Sequence, residues 1–244
     1  DTQTGLNVRN LRVADARIGI AWVNVDRGRA SQVTANLMGA AGVYLANSDT
    51  GVYASVTTLS NTNYGLNLET SNGNTVTGLY TTGNGTRGVY TVSSSNNTYS
   101  ALVVGSNTGD GIQWSGGTGN TLDNSTCTDN TNDGLELQGH TNGVITNSVI
   151  SGNTSEGIFL INSDSNTIRG NLIRNNADAG VDFGGGSGSS NNIVHGNDIT
   201  GNDTGVWFEA GSANNSLRRN NIHSNDVNNI RNQVGEGNTV TRNW

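Results

Sequence analysis

Three side chains in this sequence have the types and spacing that acid–base chemistry uses. Glu136 and Asp182 hold equivalent positions two repeats apart in a chain that repeats every 23 residues. If each repeat is one coil of stacked strands, their backbones lie about 9.6 Å apart. A carboxyl pair at that separation suits an inverting glycosidase better than a retaining one, because a water must fit between acid and base. His140 follows Glu136 and is a further candidate acid or base. The same stripe also carries rings and amides, reading Ala21, Tyr44, Asn67, Tyr90, Gln113, Glu136, Phe159, Asp182 and Trp207 in successive repeats. Aromatic faces stack on sugar rings, while amides and carboxylates bond hydroxyls. Tyr44, Tyr90, Gln113, Glu136, Phe159, Asp182 and Trp207 therefore form a candidate substrate-binding row. The competing reading is that such residues only favour strands and shield the backbone.

A second row, just before a recurring glycine, reads Arg87, Asp110, Asp133 and Glu156. Carboxylates about 4.8 Å apart repel one another unless a cation intervenes. Calcium takes several oxygen ligands, so Asp110, Asp133 and Glu156 are candidate ligands, with Asp129 beside them. A solvated acidic corner is the alternative. Ca2+ is the one ion expected here, and no cofactor is required. Cys127 falls in an apolar column and reads as a small core residue.

The elements that must position these rows follow from the repeat. A Gly followed by an aliphatic residue recurs at Gly19, Gly42, Gly65, Gly88, Gly111, Gly134, Gly157 and Gly180, then at Gly205, with Asn229 in the next Gly position. Alternating apolar pairs follow, such as Ile112/Trp114, Leu135/Leu137 and Ile158/Leu160; residues two apart on a strand share a face, so both members point inward. Further strands are marked by Val76, Tyr99, Leu122, Ile145, Ile168 and Val194, and by Thr81, Val104, Cys127, Ile150, Ile173, Ile199 and Ile222. The fold predicted is all-β: a right-handed parallel β-helix, a solenoid of about ten coils with three short strands per coil, forming one domain over residues 1–244. Two asparagine rows, Asn61 to Asn225 and Asn74 to Asn192, are expected to ladder through the corners, where an amide can both donate and accept.

The segment Asn166–Asn176, "NTIRGNLIRNN", followed by the "GV" at Gly180, resembles the repeats of the right-handed parallel β-helix proteins of the NosD type and of the carbohydrate-binding and sugar-hydrolase group. The resemblance covers almost the whole chain. It implies the fold, and it implies that polysaccharide lies along the outward stripe, as in related lyases, epimerases and hydrolases. The catalytic signatures of those enzymes are not found. The chain contains no Pro and no Lys, Gly139-His140-Thr141 breaks a Gly-His-Gly motif, and one Cys, one Met and three scattered His give no support to a copper role.

Composition narrows the partners. A hydrophobic fraction of 32% suffices only because each coil buries few side chains, and a net charge of −7 argues against nucleic acid. No run reaches the roughly 20 apolar residues of a membrane span. A single cysteine excludes an internal disulfide framework. The chain reads as a mature or trimmed product, secreted or at the cell surface, and as a fragment or module of a larger surface protein. Its expected function is to bind a polysaccharide or other glycan, with processing as a lyase, epimerase or glycoside hydrolase the form any catalysis would take. The alternative is a structural solenoid, a spacer or filament subunit whose partners are flanking domains or copies of itself.

Overall fold

Runs of three to six residues are too short to make independent sheets, so coils of this kind bury their apolar side chains only by stacking. The computed structural model describes residues 2–186, 188–232 and 237–244 and shows that stack. Ten strands, from Ile18–Val23 through Leu135–Gln138 to Asn228–Asn232, form the first sheet, each pairing in parallel with the coils before and after it. The register follows the repeat: Ile112 pairs with Leu135, Leu135 with Ile158, and Ile158 with Val181. A second sheet contains Thr75–Thr77 through Thr239–Thr241, and a third contains Tyr80–Thr82 through Asn221–His223. Near the N-terminus the longer strands Arg29–Asn36 and Val52–Leu59 run through both. The molecule is an all-β parallel β-helix of about ten turns. No helix among the described residues is long and apolar enough to cross a membrane.

The inward columns are those expected. Ile112, Trp114, Leu135, Leu137, Ile158, Leu160, Val181 and Phe183 are fully buried, as are Leu122, Ile145, Cys127 and Ile150. Val240 continues the column in register with Leu217 and is 43% exposed.

Corners are closed by amides. The Nδ2 of Asn61 donates to Oδ1 of Asn84, and the same bond recurs coil by coil to Asn225 at 2.8–3.1 Å; Asn225 Nδ2 then donates to Oδ1 of Asn229, four residues on. The second row forms two runs, Asn74–Asn97–Asn120 and Asn166–Asn192–Asn215–Asn238, separated at Gly143. A third ladder, Asn171–Asn197–Asn220–Asn243, continues a column begun by Ser125 and Ser148. The recurring glycines are required by close approach: a Cβ on Gly157 would lie 2.6 Å from the Gly180 carbonyl oxygen and 2.8 Å from Asn176 Nδ2.

Candidate functional site

Alternation on the first sheet sends Tyr90, Gln113, Glu136, Phe159, Asp182 and Trp207 to its outer face in direct register, one per coil. An outward stripe would ordinarily be solvated, and this one is not. Gln113, Glu136 and Asp182 are 4%, 8% and 2% exposed, whereas Tyr44, Tyr90, Phe159 and Trp207 are half-buried. The polar members of the row are thus more deeply covered than its rings, with the buried corner acids Asp110, Asp133 and Glu156 alongside. The row is therefore a groove with a dehydrated polar floor.

Two carboxyl clusters occupy that floor. In the first, oxygens of Asp110, Asp133 and Glu136 all lie within 4.8 Å of one another. Asp110 is engaged on both oxygens, by Arg87 Nε at 2.9 Å and by Asn132 Nδ2. Asp133 accepts the Glu156 backbone N–H at 3.1 Å, and the Glu156 carboxylate is bonded to Ser155 Oγ. Burial, then the hydrogen bond and charge of Glu156, then Asp110, hold Asp133 well above the usual carboxylate range. Burial and the neighbouring Asp110 raise Glu136 as well, against a hydrogen bond from Gln113 that lowers it. Acids this close share protons or a cation. The second cluster centres on Asp182, pushed up to about 8 by burial and by the charges of Glu209, Glu156 and Asp178, with Arg231 opposing. Its Oδ1 is buried without a hydrogen-bond partner among the described residues, as is Nε1 of Trp207, whose ring carries Arg231 at 4.1 Å.

Phe159 stands between Glu136 and Asp182 in register, and its ring lies over Gly184, where a Cβ would come within 2.7 Å of it. The N-terminal end of the groove is a pocket of about 300 Å³ containing Arg17, Tyr44, Tyr64, Asn67 and Glu69. Glu69 accepts Tyr44 Oη at 2.7 Å and Asn67 Nδ2 at 3.0 Å, leaving Asn67 Oδ1 unpartnered among the described residues. Tyr64 stacks on Tyr90 with centroids 5.2 Å apart, and Arg87 covers the Tyr90 ring.

His140 does not join Glu136. It turns into the interior, fully buried, with its ring 5.0 Å from that of Trp114. Its Nδ1 lies 2.8 Å from the Gly116 carbonyl, which can only accept, so that nitrogen carries the proton. Burial lowers its pKa. His140 occupies the column of Ser48, Ser71, Ser94 and Ser163, corner residues linked to the next coil through backbone N–H groups. That column is a signal the sequence carried. Tyr64 was equally legible, since it occupies the position of Arg87 one coil earlier. Glu69, Glu209 and Arg231 reach the groove only through coil-to-coil neighbours. Glu156 keeps its place beside Asp133, but Glu136 completes the tightest trio with Asp110 and Asp133.

Residues 102–244 match the family model described as the right handed beta helix region, and residues 1–124 match that of the periplasmic copper-binding protein NosD. No curated protein sequence matches the chain. Among solved structures, the A-module of Azotobacter vinelandii mannuronan C-5 epimerase AlgE6 superposes with a TM-score of 0.88 at 19% identity, over 100% of this chain and 75% of that one. The periplasmic alginate epimerase AlgG gives 0.68 at 18%, over 87% of this chain and 50% of that one. A DFA-IIIase from Arthrobacter chlorophenolicus A6, without its lid, gives 0.65 at 13%, over 91% and 63%. At these identities the likeness is one of fold. The copper implied by the name NosD finds no fitting cluster of donors among the described residues: copper favours thiolate, thioether and imidazole, whereas Cys127 and Met38 are buried in the core with His140, and His195 and His223 belong to no group of potential ligands. The one cluster of potential metal ligands among the described residues is all carboxylate.

Proposed function

Because the chain belongs to the right-handed β-helix family, and in its first 124 residues to the NosD family, we propose that it binds and processes a polysaccharide along the outer face of its first sheet. The observation that carries this reading is the groove itself: rings at Tyr44, Tyr90, Phe159 and Trp207 alternate with dehydrated polar groups, and Asn67, Asp182 and Trp207 each leave a buried atom unpartnered. Sugars supply what such a floor lacks, apolar ring faces beside hydroxyls that both donate and accept. Similarity of fold to alginate epimerases supports a polysaccharide ligand, and the names of NosD and AlgG support a periplasmic or extracellular location.

Processing falls to the carboxyls. In this reading Glu136, its pKa raised to about 7, gives its proton to the glycosidic oxygen as that bond breaks, and the ionised form of Asp182, beyond Phe159, takes a proton from the water that bonds to the anomeric carbon. His140 has no part in this, being sealed in the core. Ca2+ is proposed as a competing ligand of Asp110, Asp133 and Glu136, replacing the shared protons.

Titration calorimetry with neutral and acidic oligosaccharides tests the reading, with CaCl2 titrated alone in parallel. Phe159→Ala and Tyr90→Ala should each weaken binding about tenfold, the loss of roughly 1.4 kcal/mol of stacking. Glu136→Gln should retain binding and lose turnover in reducing-sugar and unsaturated-uronate assays. Absence of binding across both classes of glycan would sink the proposal. Absence of a Ca2+ isotherm at pH 7–8 would remove the ion alone.

A further inference from the structure

A second concentration of charge lies on a different sheet. The last outward positions of Thr167–Arg169, Ile193–His195 and Ser216–Arg218 place Arg169, His195 and Arg218 in direct register along the helix axis. At the adjoining corner stand Arg219 and Arg242, in the left-handed backbone conformation (φ 55° and 53°) that Asn124, Asn147, Gly170 and Gly196 adopt in preceding coils. His195, Arg218, Arg219, Thr241 and Arg242 line a pocket of about 450 Å³. Four of the chain's 12 arginines thus meet on one face of a protein with a net charge of −7.

Among the described residues no carboxylate forms an ion pair with them; the ion pairs are Arg87–Asp110 and His223–Asp198. The nearest carboxylate along the row, Asp123, lies two coils from Arg169 and is engaged by Thr146 and Asn147. Burial, and after it the charges of Arg218, Arg169 and Arg219, all cations, lower the pKa of His195. A row of like charges at the coil spacing of about 4.8 Å is repulsive and gains stability when an anion is laid across it.

We propose that this face binds an acidic polysaccharide, a linear chain bearing carboxylate or sulfate groups, through Arg169, His195, Arg218, Arg219 and Arg242. A straight row over successive coils fits an extended polyanion better than a single ion, and guanidinium forks bond carboxylate and sulfate in pairs. No apolar side chain lines the pocket, so a lipid surface has nothing to anchor on. His195 is its one ring, and no Phe, Tyr or Trp lines it, so a nucleic acid strand finds no row of aromatic platforms for successive bases. The site is independent of the groove, which lies on the first sheet.

The test is binding of polygalacturonate and dextran sulfate by calorimetry at low salt, with pullulan as a neutral control. Single-stranded DNA and phosphatidylglycerol vesicles serve as anionic contrasts. The wild type is compared with Arg218→Gln/Arg219→Asn, which keeps a residue type already used at that corner, with Arg169→Gln, and with the groove variant Phe159→Ala. Expected are a loss of about tenfold or more in affinity in the double variant, a shallower salt dependence, tighter wild-type binding as pH falls and His195 gains its proton, and no change in Phe159→Ala. Arg169→Gln, a solvent-exposed change, should show a smaller loss and decides the matter if the double variant melts early. Unchanged polyanion affinity in the arginine variants, loss of it in Phe159→Ala, or equal affinity for DNA or vesicles would overturn the proposal. A failure of the groove proposal leaves these outcomes untouched.

Discussion

Asp182 is buried, has one carboxylate oxygen without a partner, and lies among three other acids. Its pKa is raised from 3.8 to about 8, so the native state holds a proton that the unfolded chain has lost across that window. A raised folded value contributes stability fully below the unfolded value and loses it as pH rises through the folded one. Asp182→Asn should therefore be nearly neutral at pH 5 and stabilising by about 1–3 kcal/mol at pH 8, measured by denaturant melts. A variant that destabilises equally at both pH values would show that Asp182 is ionised in the native protein. The sequence placed Asp182 and Glu136 on the right face but not in their environment. Periodicity reports which way a side chain points; dehydration depends on the height of its neighbours, here Phe159 and Trp207, and on corner acids from other coils. His140 illustrates the converse. Four positions from Glu136, it lies beyond Gly139, whose φ of +62° marks the turn, and proximity in sequence ended there.

The elements were far more legible. Inward pairs, the 23-residue register and two asparagine rows were all readable, because each comes from a residue type recurring at one spacing. The third ladder escaped notice because it starts as serine, at Ser125 and Ser148, and becomes asparagine only at Asn171. These corners bear measurable weight. Asn130 Oδ1 accepts both the backbone N–H and the side-chain amide of Asn107. Asn130→Ala leaves two buried donors without an acceptor and should cost roughly 2–4 kcal/mol. Gly157→Ala drives a methyl into the Gly180 carbonyl and the Asn176 amide, and should destabilise the protein by at least as much, read as a lower Tm. If either variant melted like wild type, the corner would be yielding where it is drawn as tight.

At the scale of the molecule, opposing titrations set how stability varies with pH. Asp133, Glu136 and Asp182 are raised and favour acid, whereas the lowered pKa values of His140 and His195 favour pH values above 6.5. Asp178 is raised as well and Asp123 is lowered, so the raised carboxyls outnumber the groups that oppose them. Tm should fall from pH 5 to pH 8, and fall more steeply above 6.5, where the histidines no longer oppose; a Tm that rises over that range contradicts the protonated floor. The asparagine ladders have one more consequence. Every ladder bond runs the same way, Nδ2 of one coil to Oδ1 of the next, so the amide dipoles align instead of cancelling. Three columns of them give the solenoid poles, negative toward its first coils and positive toward its last. The positive pole lies at the end where Arg218, Arg219 and Arg242 converge, so the side-chain amides of the corners and the guanidiniums draw an anion toward the same end of the rod.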